Sequence, residues 1–512
     1  MRSGLYLRFA SEIRPDANAR VHALAQHLRD NPIGGVTGVI PGIISLYVEF
    51  DPRRVSAQKL PALLQCQADE IKPAEGEAAR RTEIPVRYDG EDLAEVARQT
   101  GLTSEEVISR HAAPTYTVYL VGFSPGQPYL GDVDPRLRVP RRPSPLPLVP
   151  PSSLVIANTL TTIGPFAQPT GWNVLGQALE WLYDPHRSEP ALLKAGDRVR
   201  FVPSRDSMPP EPGHLELLPG QPRFPLLKVV EHGLLDLVVD LGRPLGEHFG
   251  LSKGGAIDPR CASLANKIVG SPPGAPLLEM SVTGPVLEAL AAGVMVFAGW
   301  GMVPLLNGVE VEAFKSFGVR KGDVLSFRPA ASGIRGYLAV PGGIESETFL
   351  DSATVSHRGR VGRPLRTGDV LGVGSRRVAR AGFGFNPITV PSGSVTLHII
   401  PGPQASSESL AQLTAGCFTV RSADRVGVRL GGPPVLGGEI ISEAVPVGSI
   451  QVPPGGAPIL LLNDRGTTGG YAKPAMLYPP DLPLAGQLRP GTRIRFELKR
   501  LREPLYRSVD LY

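Results

Sequence analysis

The sequence predicts a mainly β protein with an α+β domain at its N-terminus, and two observations carry that expectation. Glycine (59) and proline (54) together exceed a fifth of the 512 residues, which favours many short strands joined by turns over long helices. The second observation is an internal duplication. Around Val149 the order is VPPSSLVIA, then PTGW ending at Trp172, then GDRVRF from Gly196 to Phe201; around Val445 it is VPVGSIQVP, then TTGGY ending at Tyr471, then GTRIRF from Gly491 to Phe496. The span from Val149 to Phe201 is 52 positions and that from Val445 to Phe496 is 51, so three elements recur in order and nearly in phase. Apolar residues such as Ile450, Val452 and Ile459 suit strands, and Val-Pro marks a strand start or edge. Each copy reads as a small barrel or sandwich.

The elements before and between the copies follow from local pattern. Leu5 to Phe9 reads as a strand, Asn18 to Asp30 as a helix, Gly35 to Phe50 as strands, and Ser56 to Asp69 as a second helix. Together these make a small α+β unit. After IPVRYDG comes the helix EDLAEVARQTG, and its continuation TSEEVISRH opens with Thr103 and Glu106 spaced as a capping box. From Pro114 to Val202 the pattern turns to strands and prolines, and Pro203 to Pro225 has the composition of an interdomain linker. A second β-rich half follows.

Composition excludes several classes of function. The chain is 42% hydrophobic and 20% charged, with a net charge of +5 from 53 basic and 48 acidic residues. That charge is too small and dispersed for a nucleic-acid footprint. Cys66, Cys261 and Cys417 are far apart and lack CxxC spacing, so neither a zinc site nor a disulfide framework is expected. The N-terminus has no signal-peptide h-region, and no apolar run approaches the length of a membrane span. A cytoplasmic protein with no membrane partner is the expectation.

Two glycine-rich segments carry the candidate chemistry. The segment NDRGTTGGY, Asn463 to Tyr471, follows a strand pattern and reads as a ligand-facing loop in which Gly469 and Gly470 permit close backbone approach. The other, DLGRPLGEHFGLSKGGAIDP from Asp240 to Pro259, gathers Arg243, His248, Lys253 and Asp258 with Gly254 and Gly255 ahead of a helix at Pro259 to Val269. Its cations and glycine amides suit a phosphate or carboxylate. Asp258 before Pro259 is equally a plain N-cap. GFSPG, Gly122 to Gly126, matches the GxSxG nucleophile elbow but is rejected, because Pro125 has no N–H for an oxyanion hole and no helix pattern follows. No phosphate loop, HExxH or metal-ligand spacing appears.

These residues carry a family resemblance. GFSPGQPYLGDVDPRLRVPR, GWNVLGQ and LLKAGDRVRF resemble the KipI family, the B subunits of 5-oxoprolinase. DLGRPLGEHFGLSKGGAIDP, LAVPGGI, ADRVGVRLGGP, VGSIQVPPGGAPI and DRGTTGGY resemble the KipA family, the C subunits of 5-oxoprolinase. The match covers nearly the whole chain, which is similar to a B–C fusion and also to the carboxyltransferase region of urea carboxylase. The resemblance implies tandem cyclophilin-like β-barrel domains. It divides the chain into a KipI N-terminal-like domain at 1–82, a cyclophilin-like domain at 83–204, a linker at 205–225, a KipA-like first β-domain at 226–390 and a second cyclophilin-like domain at 391–512.

The implied activity is ATP-dependent opening of 5-oxo-L-proline to L-glutamate with a separate protein like the A subunit of 5-oxoprolinase, using ATP with Mg2+. On that reading Lys253, Asp258 and Asp464 are catalytic. Arg243, His248, Gly254, Gly255, Gln451, Arg465, Thr467, Thr468, Gly469, Gly470 and Tyr471 bind substrate or nucleotide. Asp424 and Arg425 read as a structural ion pair. Two alternatives stand beside it: a carboxyltransferase component served by a biotinylated carrier, acting on a urea-like or amide substrate, and a non-catalytic regulator of a sensor histidine kinase. A homo-oligomer is left open. The chain departs from the family pattern at Gln127, Thr170, Gln177, Pro145 and Leu146 in the first half, and at Val239, Leu245 and Gly246 in the second.

Overall fold

The duplication is one of topology. In the computed structural model, which describes residues 3–71, 80–374, 380–385, 393–501 and 504–511, the first copy is a closed barrel. Its strands run in the spatial order Asn173–Ala178, Arg81–Arg87, Arg198–Pro203, Tyr116–Val121, Pro128–Gly131, Leu160–Gly164 and Ser153–Ala157. The second copy repeats that order with Thr468–Leu477, Ser394–Pro401, Arg493–Leu498, Cys417–Ala423, Gly427–Gly431, Ile459–Leu461 and Ser449–Val452, and closes by pairing Ser394–Pro401 with Thr468–Leu477. Each barrel holds a parallel pair, Arg81–Arg87 with Arg198–Pro203 and Ser394–Pro401 with Arg493–Leu498.

The repeated motifs explain the repeated geometry. In GDRVRF and GTRIRF, alternation sends Val199, Phe201, Ile494 and Phe496 inward and leaves the arginines outside. The leading glycines, Gly196 and Gly491, take φ values of +93° and +88° to turn the chain. At the other repeated motif the Ser153 hydroxyl donates to Pro150 O and the Ser449 hydroxyl to Pro446 O, both at 2.7 Å.

The front domain is the expected α+β unit. Its sheet orders Val36–Pro41, Ser45–Phe50 and Ser3–Arg8, with helices Pro15–Asp30 and Leu60–Glu70 packing Val21, Leu24, Leu28, Leu60 and Leu64 onto Leu5, Leu7 and Leu46. The first helix starts at Pro15, three residues before the pattern suggests, because proline suits a first helical turn. A fourth strand, Tyr506–Asp510, pairs in parallel with Ser3–Arg8. That strand thus belongs to the front sheet instead of the second barrel. The capping box at Thr103 and Glu106 is formed, opening the helix Ser104–Ala112.

Between the barrels lie a six-stranded and a five-stranded sheet, spanning strands from Pro225–Glu231 to Val370–Gly372, with the helix Pro259–Ile268 packed on the five-stranded sheet. The segment from Pro203 to Pro225 is nearly free of regular structure but pinned. Leu215 N–H donates to Arg360 O at 2.8 Å, Gly362 N–H donates to Leu215 O at 2.7 Å, and the Trp181 indole N–H donates to Pro209 O at 3.0 Å. Among the described residues no helix is long and apolar enough to cross a membrane.

Candidate functional site

Three loops meet where the two halves join: Gly122–Gly126 from the first barrel, Glu247–Gly250 from the start of the second half, and Arg465–Thr468 from the second barrel. Gly126 N–H donates to Phe249 O at 2.8 Å, and the Phe249 ring enters the first barrel's core beside Tyr183. Side-chain-free positions let the loops close. A Cβ on Gly250 would stand 2.2 Å from Ser124 O, and one on Gly122 would stand 2.6 Å from Thr468 Oγ1 and 3.4 Å from Thr467 Oγ1. Ser124 is not an exposed nucleophile; its hydroxyl lies 3.2 Å from both Gln127 Oε1 and Gln168 Oε1, and a strand follows instead of a helix.

This seam holds buried polar atoms that have no protein partner. Arg465 is buried, its Nε donating to Val445 O and its Nη2 to Glu247 Oε1, each at 2.6 Å, while Nη1 has no partner. Thr467 Oγ1, Thr468 Oγ1 and Gln451 Nε2 are likewise buried without partners, and Gln451 Nε2 lies 2.9 Å from where a Cβ of Gly469 would be. Leaving a buried polar group unsatisfied costs roughly 1–3 kcal/mol, so these groups call for partners, water or ligand, that the protein itself does not supply. The first barrel differs: Gln168 Nε2 donates to Gln127 Oε1 at 3.0 Å and Gln127 Nε2 to Thr162 Oγ1 at 3.3 Å. There the departure at Gln127 builds a network that satisfies itself.

A second locus lies on the other side of the Asp464-Arg465 peptide. Arg243 is fully buried, its N–H donating to Lys253 O at 2.8 Å and its side chain donating to Thr354 O and Phe349 O, while Nη1 has no partner. Burial holds this guanidinium below its usual pKa. A Cβ on Gly254 would lie 3.7 Å from Asp464 Oδ1 and 3.9 Å from Arg243 Nη1. Gly254 and Gly255 both have positive φ, +63° and +85°, a backbone conformation that favours glycine. The Gly254 amide donates to Asn463 O at 3.3 Å, and Gly255 O accepts from Arg425 Nη2 at 2.9 Å.

Several expected residues stand differently from their sequence reading. Asp258 is the N-cap: Oδ1 accepts from Cys261 N–H at 3.1 Å and Oδ2 from Gln487 Nε2 at 3.3 Å, which engages both carboxylate oxygens. Arg425 pairs with Asp464 and with the buried Glu279, not with Asp424, which instead accepts from its own loop's Val426 and Gly427 amides. Gly469 and Gly470 lie in the strand Thr468–Leu477; the loop itself ends at Thr467. Lys253 is half-buried, and His248 is exposed with its ring edge-on to Phe249 at 4.9 Å.

Sequence reading missed Glu279, Glu247, Tyr183 and Arg141. Glu279 was visible as a lone charge in the apolar strand Leu277–Ser281, where it accepts from Tyr337 OH at 2.8 Å and Ile257 N–H at 2.9 Å. Arg141 lies 5.9 Å from the rings of both Trp172 and Tyr471, the aromatic residues that end the duplicated loops. Among the described residues no group of three or more His, Cys, Asp and Glu side chains is placed to hold a metal.

Residues 2–193 match the family model for carboxyltransferase domain, subdomain C and D, and residues 249–498 match that for subdomain A and B. The chain is 37% identical to the B subunit of 5-oxoprolinase from Bacillus subtilis over 214 residues, 39% of this chain and 89% of that protein. It is 31% identical to the C subunit of 5-oxoprolinase from Haemophilus influenzae over 291 residues, 54% of this chain and 92% of that one. The chain belongs to the family of 5-oxoprolinase B and C subunits, the two fused in one polypeptide. The crystal structure of TTHA0988 has the same architecture, at a TM-score of 0.92 and 49% identity, covering 97% of this chain and 100% of that one. The seam is therefore the junction of the B-like and C-like halves, and both contribute loops to it.

Proposed function

We propose that the chain is the B–C component of an ATP-dependent 5-oxoprolinase, opening 5-oxo-L-proline to L-glutamate together with a separate A-type subunit. Beyond the family, the supporting observation is the cluster of buried, unpartnered polar groups at the junction of the two halves. A lactam is stabilised by resonance, so water opens it only after its oxygen has been made a leaving group. Transfer of the γ-phosphoryl group of ATP to that oxygen does so and releases ADP; water then adds to the carbon, the ring C–N bond breaks as the nitrogen takes up a proton, and a second water hydrolyses the resulting acyl phosphate to the carboxylate and phosphate.

Phosphoryl transfer needs cations around the transferring group and fixed donors around the acceptor. Arg243 and Lys253 flank the glycine pair and supply the cations. The unpartnered Nη1 of Arg243 fits a phosphate oxygen, and Asp464, 22% exposed with both oxygens accepting from Arg425, is the carboxylate beside that locus. Mg2+ is held in such sites by one or two carboxylates together with the phosphates, so the lack of a three-acid cluster among the described residues is compatible with it. When bound, the ion would neutralise charge on the phosphates.

The experiment is ATP hydrolysis by the purified chain mixed with its A-type partner, with and without 5-oxo-L-proline, following glutamate release. Coupled turnover supports the proposal. A well-folded complex that shows none rejects it. A second reading, a carboxyltransferase acting on an amide or urea-like substrate, draws on the description of both matched family models; carboxyl transfer from carboxybiotin would favour it.

A further inference from the structure

We propose that Arg465, Thr467 and Thr468, assisted by Gln451, form a carboxylate-binding subsite at the seam, separate from the locus of Arg243 and Asp464. The free group on Arg465 (Nη1) and that on Gln451 (Nε2) can only donate, and the two threonine hydroxyls can donate as well. The occupant must therefore be rich in acceptors. A buried guanidinium N–H is matched best by an anion, through a charge-assisted hydrogen bond.

The charge balance selects among anions. Arg465 already faces Glu247 at 2.6 Å, so one cation is partly balanced before any ligand arrives. A phosphate dianion beside that carboxylate would be repelled, whereas a monoanion with two acceptor oxygens suits one free N–H and two hydroxyls. Gly122 and Gly469 bring bare backbone close to these groups: a Cβ on Gly122 would stand 2.6 Å from Thr468 Oγ1 and one on Gly469 2.9 Å from Gln451 Nε2.

Asp464 and Arg465 are consecutive, and their side chains diverge. Asp464 turns to Arg425 and Gly254, Arg465 to Val445 and Glu247. A small ligand with a carboxylate at one end and an amide at the other is matched by that division. The amide end of that ligand rests on the proposed 5-oxoprolinase activity; the carboxylate end does not.

The test is calorimetric titration of the purified chain with 5-oxo-L-proline, with 2-pyrrolidinone, which has the lactam but no carboxylate, and with cyclopentanecarboxylate, which has the carboxylate but no lactam. Both carboxylates are expected to bind, and 2-pyrrolidinone at least tenfold more weakly. The double variant T467V/T468V should weaken both carboxylates at least tenfold, while T467S/T468S, which keeps the hydroxyls, should retain them; melting curves establish that each variant is folded. Binding of cyclopentanecarboxylate without 5-oxo-L-proline upholds the subsite and counts against the 5-oxoprolinase reading. Equal binding of 2-pyrrolidinone, unchanged affinity in the folded valine variant, or no carboxylate binding at all overturns the subsite.

Discussion

Arg425 and Asp464 meet in a two-pronged ion pair, Nε to Oδ2 at 2.8 Å and Nη2 to Oδ1 at 3.1 Å, and the same guanidinium also holds the buried Glu279. Burial disfavours the charge on Arg425, but the facing carboxylates overcome it and hold the guanidinium above its usual pKa. Replacing Arg425 with Met takes the nearer guanidinium away from the buried Glu279 and leaves it facing Arg335 at 4.0 Å. The expected loss is about 3–5 kcal/mol, read as a fall in the denaturation midpoint; Glu279→Gln in that background should recover part of it.

Arg243 and Lys253 are expected to matter for turnover more than for folding. Arg243→Lys keeps the charge but loses the forked donors, and turnover coupled to the A-type partner should fall on the order of 10²-fold. Lys253→Ala should lose activity with its melting temperature nearly unchanged. Steady-state assays on both variants check this, and wild-type rates would remove these residues from the mechanism.

The duplication makes a prediction of equality. Ser153 and Ser449 make the same bond to the same turn in the two barrels, each at 2.7 Å. Ser153→Ala and Ser449→Ala should each cost about 0.5–1.5 kcal/mol, and the double variant should cost the sum, because distant sites add. Chemical denaturation of the three variants measures it.

His111 gives the first barrel a pH dependence. Its ring is fully buried, stacked on Phe201 at 5.0 Å and bonded to Tyr88 OH and Thr161 Oγ1, and burial lowers its pKa from 6.5 to about 3. The unfolded chain takes up a proton near pH 6.5 that the folded barrel accepts only near 3. The contribution to stability is therefore whole above about 6.5 and declines as pH falls through that window. Melting curves from pH 7 to 4 should show a shallower decline in His111→Gln than in the wild type.

What was legible in the sequence was local or periodic. The capping box at Thr103 and Glu106 depends on residues three apart, the strand Arg493–Leu498 on alternation, and Gly196 and Gly491 on a turn that needs positive φ. Asp258 reads both as a cap and as a catalyst, and only its contact with Gln487, 229 positions away, shows that both oxygens are engaged. Gly469 and Gly470 read as loop because glycine is weak in isolated strands, yet pairing with Glu439–Ala444 holds that segment extended.

By itself the sequence determined the β class, the duplicated barrel and the family, because these rest on repeats, alternation and ordered motifs that need no knowledge of distant contacts. Tertiary structure alone decided that Arg425 pairs with Asp464 and Glu279, that Tyr506–Asp510 completes the front sheet, and that Thr467 and Thr468 stay unpartnered against Gly122. The physical reason is that a buried charge or hydroxyl takes whatever partner the fold brings within hydrogen-bonding distance. Here Glu279, Arg425 and Asp464 come from three separate segments of the second half.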